Sequence, residues 1–289
     1  MDSQSMRESR RAKSDVVLDV LLAAAIAFCG VLMSYFGYIW GSASPNPGEI
    51  LGSILFWGGV VYLLLGNPLR RAVADFGLAV RTRLGAGVFL AYLTVHLILY
   101  GFLLEVILAT SFGSSLLVVP QQALFIRTDT FLPPSLTSTL FDLSFNPSIV
   151  LTVQPLFTAA LSMYSISMAL IIAVLVVANV GMTRELGKLV SARKRAATFV
   201  ALPTLGIVLG ASCCLSVAGI ISLYALPLAT YSALASSLWL FYVTYFGLPS
   251  FAVAILFLNL RSVRKLTFVV GNPLGQRVII DGSARSPER

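Results

Sequence analysis

Six stretches of the chain, residues 16–40, 49–66, 86–110, 156–180, 199–223 and 235–260, are apolar and nearly free of charge. A helix of roughly 20 residues crosses the ~30 Å hydrocarbon core of a bilayer, so each stretch is a candidate span. The cations lie almost wholly between them and alternate. Arg7, Arg10, Arg11 and Lys13 precede the first stretch, and no cation follows it. Arg70, Arg71, Arg81 and Arg83 follow the second, and only Arg127 follows the third. Arg184, Lys188, Arg193, Lys194 and Arg195 follow the fourth, and none follows the fifth. Arg261, Arg264, Lys265, Arg277, Arg285 and Arg289 follow the sixth. Cytoplasmic segments retain Lys and Arg, so this alternation predicts an all-α, six-span membrane protein with both termini in the cytoplasm.

Composition removes the competing classes. Charged residues are 11% of the chain and hydrophobic ones 57%, whereas soluble domains carry about 25% charge. That excludes a soluble globular fold and a disordered chain. The net charge of +8 is accounted for by topology, so no nucleic-acid partner is expected; the lipid bilayer of the cell membrane is. The first stretch is longer than a signal-peptide core of about 7–15 residues and reads as a retained helix. Tyr35, Tyr38 and Trp40 at its end, and Tyr231 and Trp239 near the start of the sixth, belong at the headgroup layer. Three units result: a basic cytoplasmic N-terminus (1–15), a membrane domain (16–260), and a basic tail (261–289) expected to be partly disordered. The outer segment 111–155 is broken by prolines yet apolar in patches, so it is expected to lie on the membrane, cap the bundle or dock a partner.

Polar and soft side chains inside spans mark candidate sites. Tyr92, His96 and Tyr100 recur every four residues and share a helix face, with His96 mid-span. Glu105 lies about 180° away, near the outer end, where it is expected to reach water. Cys29, Met168, Cys213 and Cys214 lie at the depth of His96; thiolate, thioether and imidazole at one level suit a soft metal ion. Cys and Met also serve as ordinary apolar packing. With three cysteines and one histidine, the chain alone makes neither a four-cysteine metal site nor bis-His haem, and His96 paired with a methionine is a weaker candidate for haem.

Gly206, Gly210, Cys214 and Ala218 form a small-residue stripe that lets two helices approach closely. Gly247 and Pro249 read as a hinge in the sixth span, and Asn259 as a cap at its inner end. Residues 77–99 resemble residues 187–209, consistent with either hairpin duplication or shared composition. Gly210-Ala-Ser-Cys213-Cys214-Leu215 resembles the cysteine-pair helix of the mercuric-ion transport membrane proteins, over fewer than ten residues. The proline that follows the pair in that family is here replaced by Ser216-Val-Ala-Gly219. The resemblance implies that Cys213 and Cys214 pass a thiophilic cation.

The chain carries no P-loop, dinucleotide fingerprint, Cys-x-x-Cys or metalloprotease His pair, and its soluble segments are too short for a catalytic domain; it is not expected to be an enzyme. Two readings stand. One is a permease-like component handling a soft metal or small thiophilic solute through Cys213, Cys214, Cys29, His96 and Met168. The other is a non-catalytic subunit of a membrane complex.

Overall fold

A computed structural model describes residues 3–40, 46–112, 122–128, 135–153, 157–191 and 242–271. The predicted span 199–223 lies outside the described residues, and with it Gly206, Gly210, Cys213, Cys214 and Ala218; so do the start of 235–260 and the end of the tail.

The described chain is mostly helical, and five of its helical segments are long and apolar enough to cross a membrane: Val16–Trp40, Pro47–Gly66, Arg83–Ile107, Met163–Leu189 and Val243–Val270. That is the make-up of a membrane protein. Large apolar side chains such as Leu18, Phe28, Leu90, Leu258 and Phe268 stand on its surface, each 60% exposed or more.

Helix α1 (Ser3–Trp40) starts well before the first apolar stretch. At about 1.5 Å per residue it is longer than a bilayer core is thick. Helix α2 (Pro47–Gly66) opens on Asn46, whose side chain accepts from the Gly48 N–H at 2.9 Å, with Pro47 at its first position. It returns along α1 on a seam of small residues. A Cβ on Gly30 would lie 2.5 Å from the Phe56 nitrogen, and one on Gly52 2.5 Å from the Ser34 nitrogen. Only glycine allows the two backbones to meet this way.

The basic segment after α2 is itself a helix, α3 (Arg70–Ala79), packed on the helix Met163–Ser191. Asp75 on α3 accepts from Arg264 Nε at 2.7 Å. Helix α4 (Arg83–Phe112) carries His96.

The segment 111–155, with the residues that follow it, corrects the all-α expectation. It holds strands β1 (Gln122–Arg127) and β2 (Ser148–Val153) and the short helix α5 (Leu136–Asp142). Strand β3 (Phe157–Ser162) completes an antiparallel sheet in the order β1-β2-β3, with Leu124 opposite Leu151 and Val150 opposite Ala160. Residues 157–162 were expected to begin the fourth span; a six-residue apolar run reads alike as strand or helix until its pairing is known. Strand β2 has the β-branched composition a strand favours, with Ile149, Val150, Thr152 and Val153. Strand β3 lies along the C-terminal half of α4 at Gly101, where a Cβ would meet Leu161 Cδ2 at 2.8 Å and Ala159 Cβ at 3.2 Å.

Helix α6 (Met163–Ser191) follows β3 without a break. Ser162 is its cap: its Oγ accepts from the Ser165 N–H at 3.2 Å, and Ser165 Oγ donates back to the Ser162 carbonyl at 2.8 Å. Every residue from 171 to 178 is at most 4% exposed, so α6 occupies the middle of the described bundle. A π-helical turn (Val243–Gly247) leads into α7 (Leu248–Gly271). Helix α7 runs past Asn259, which therefore does not cap it. Instead Asn259 Nδ2 donates to Asn179 Oδ1 at 2.9 Å, and Asn179 Nδ2 donates to the Leu175 and Leu256 carbonyls at 2.7 and 3.0 Å. This amide pair pins α6 to α7 within the apolar layer.

Candidate functional site

The elements converge on a buried aromatic cluster at the sheet end of the bundle. On α4, Tyr92, His96 and Tyr100 are 8%, 0% and 0% exposed. The Tyr92 hydroxyl lies 3.5 Å from His96 Nδ1, and the His96 ring stacks flat on Tyr100 with centroids 4.2 Å apart. Among the described residues His96 Nε2 has no hydrogen-bond partner. An imidazole nitrogen kept from water and left unbonded carries a desolvation cost, which makes it the strongest ligand candidate in the apolar layer.

Beyond Tyr100 stands Tyr245, whose hydroxyl shares a 2.7 Å hydrogen bond with Ser162 Oγ. Pro249 has no N–H to offer the Tyr245 carbonyl one turn back. The Tyr164 hydroxyl supplies that bond at 3.2 Å and also reaches the Phe246 carbonyl at 3.3 Å. The Gly247–Pro249 irregularity is thus tied down by a side chain from α6. Trp57 on α2 packs edge-on against Tyr164 and donates Nε1–H to the Leu143 carbonyl at 2.7 Å. Phe145, fully buried, stacks on Tyr245. The turn after α5 is therefore locked into the cluster.

Two further polar groupings lie near the sheet. Glu105 does not reach water as expected: it is 8% exposed, and its carboxylate stands 3.6 Å from the buried Arg127 guanidinium on β1. The strand covers it, and no sequence feature announced that strand. The second grouping is a crevice lined by Ser34 and Tyr38 of α1, Glu49 of α2, Thr139 and Asp142 of α5, and Asn146. Burial pushes the Asp142 carboxyl up from its ordinary 3.8 to about 7.

A raised carboxyl value makes folding lose stability as pH rises. Below about pH 4 the group is protonated folded and unfolded, and contributes nothing. Between about pH 4 and 7 the unfolded chain ionises while the folded one resists, and above about pH 7 the cost is complete. In chelator, the unfolding temperature of wild type is expected to fall across this window relative to Asp142→Asn. Parallel curves would show that Asp142 is not held neutral.

Of the sequence-predicted soft ligands, His96 is buried on α4, Met168 packs at the edge of the same core, and Cys29 is exposed on α1. Helix α1 packs on α2 and α5, so Cys29 and His96 do not share a site. Cys213 and Cys214 lie outside the described residues. Among the described residues no three His, Cys, Asp or Glu side chains gather to hold a metal. Asn179 and Asp142 were not singled out from the sequence, although an asparagine inside an apolar span is a readable signal; Asp142 lay hidden in a segment read as loop.

No family model matches the chain, and no curated protein or solved structure matches it either.

Proposed function

We propose that this is a six-span protein of the cell membrane, with both termini cytoplasmic, that serves as a non-catalytic subunit of a membrane protein complex. The carrying observation is the place of α6. Its apolar residues 171–178 fill the middle of the described bundle, where a solute path along the axis would run. Three of the polar groups around it are spent within the bundle: Asn179 on the Leu256 carbonyl of α7, Tyr164 on the turn at Tyr245, and Ser162 on Tyr245. Such a core favours a fixed scaffold. The small-residue stripe of Gly206, Gly210 and Ala218 supplies the contact surface in this reading.

The test is purification in mild detergent. A stoichiometric membrane-protein partner is expected, and Gly206→Leu or Gly210→Leu should release it while the chain stays monodisperse. A chain that purifies alone at full yield contradicts the subunit reading.

One observation favours transport of a soft cation instead: within the apolar layer, Nε2 of His96 has no partner among the described residues. The ligand set would then be His96 with Cys213 and Cys214, without Cys29. Cells expressing wild type would accumulate Hg2+ or Cu+, and Cys213→Ser/Cys214→Ser would abolish this. Equal accumulation removes that reading.

A further inference from the structure

The crevice between α1, α2 and α5 has the chemistry of a cation site. Its six lining side chains, Ser34, Tyr38, Glu49, Thr139, Asp142 and Asn146, all present oxygen, and none is basic. Two of the six are carboxylic acids, and both are buried, Glu49 at 7% and Asp142 at 9% exposure. Asn46 Nδ2 stands 3.4 Å from Glu49 Oε1. Asp142 lines the crevice, and its Oδ1, sealed from solvent, accepts no hydrogen bond among the described residues. A buried carboxylate oxygen without a donor is costly unless a cation or a proton meets it. The space open to the centre of a water-sized body is about 10 Å³, which is room for one water or one bare ion.

We infer that this crevice binds one hard divalent cation of the Ca2+ type, held by Asp142 and Glu49 with neutral oxygens from α1, α5 and Asn146. Oxygen-only donors exclude a soft metal. Ca2+ accepts irregular sets of six to eight oxygens and is readily stripped of water, whereas Mg2+ keeps several waters in a near-ideal octahedron, for which the space is too small. With two carboxylates the affinity falls at the weak end of protein Ca2+ sites, about 10⁻⁴–10⁻³ M. The ion would join the α1–α2 hairpin to α5. The inference is independent of the subunit and transport readings.

Full-length protein, stripped with chelator in detergent above pH 7, is titrated with Tb3+, with emission excited through tyrosine; Tyr38 lines the site. Sensitised emission is expected, displaced by Ca2+ at concentrations about tenfold below those needed of Mg2+, and millimolar Ca2+ should raise the unfolding temperature by several degrees. Asp142→Asn should weaken both effects at least tenfold while unfolding in chelator no earlier than wild type. Glu49→Gln is the second variant, and Glu185→Gln, exposed at the far end of α6, should titrate as wild type. Absence of any Ca2+-dependent gain in wild type, or an unchanged titration in Asp142→Asn and Glu49→Gln, overturns the inference and leaves a crevice that holds water.

Discussion

Gly52→Leu is expected to force the α1–α2 hairpin apart, lowering stability by about 3 kcal/mol or more. A Cβ at this position already lies 2.5 Å from the Ser34 nitrogen and 2.6 Å from the Gly30 carbonyl oxygen. Those neighbours are backbone, so no rotamer change relieves the clash and the helices themselves must move. The loss extends along the seam, because Gly37 meets Gly48 and Gly59 meets Ala27 in the same manner. Gly58→Leu is the internal control: its Cβ would meet nothing within 4 Å, although it sits on the same helix. Thermal unfolding in detergent should separate the two variants clearly. Similar unfolding temperatures would contradict the packing described for the hairpin.

The second large effect belongs to Trp57, which ties the hairpin to the turn after α5. Trp57→Ala removes a buried ring that packs on Phe56 and Tyr164, together with the donor to the Leu143 carbonyl. The expected loss is about 3–5 kcal/mol. Trp57→Phe retains most of the apolar contact and deletes only the N–H, which costs about 1–3 kcal/mol for a buried carbonyl deprived of its donor. Hydrogen exchange should localise the effect. Amides of the turn after α5, at Phe145 and Asn146, exchange faster in both variants, whereas those of α7 beyond Leu256 stay protected. Uniform acceleration throughout the chain would show that Trp57 acts on the bundle as a whole instead of on that turn.

What could be read before folding follows from the range of the interactions involved. Helix positions along 16–40, 49–66 and 86–110 rest on local apolarity and on where cations fall, and α1, α2 and α4 cover those stretches. The sheet rests on pairing: β1 meets residues some 25 positions away, such as Leu124 with Leu151, and β3 turns back on β2, as Ala160 does on Val150. An isolated apolar hexamer carries no record of that pairing, which is why 157–162 reads as helix. One local signal did mark the true start of α6, the Ser162-x-x-Ser165 cap.

Glu105 and Asn259 were placed by their distance along a helix, but their surroundings come from β1 and α6. The α1–α2 seam was legible in principle. Ala23, Ala27, Gly30, Ser34 and Gly37 alternate four and three residues apart, and Gly48, Gly52 and Gly59 keep the same rhythm. The glycines of the second stretch weaken a helix in isolation, and only the partner backbone turns them into a contact. Among the soft ligands, a depth expected from the sequence does not tell which faces meet: Cys29 is exposed on α1, whereas His96 is buried on α4.

The account rests on six crossings with both chain ends on one side of the membrane and the sheet on the other. Single cysteines introduced as Ser5→Cys, Leu124→Cys and Ser283→Cys, in a background with Cys29, Cys213 and Cys214 changed to serine, test it with a membrane-impermeant maleimide. Leu124 is 71% exposed on β1 and open to reagent. In intact cells the account predicts labelling at position 124 alone, with positions 5 and 283 reacting only after permeabilisation. Labelling of one terminal position and not the other in intact cells would place the ends on opposite faces and contradict it.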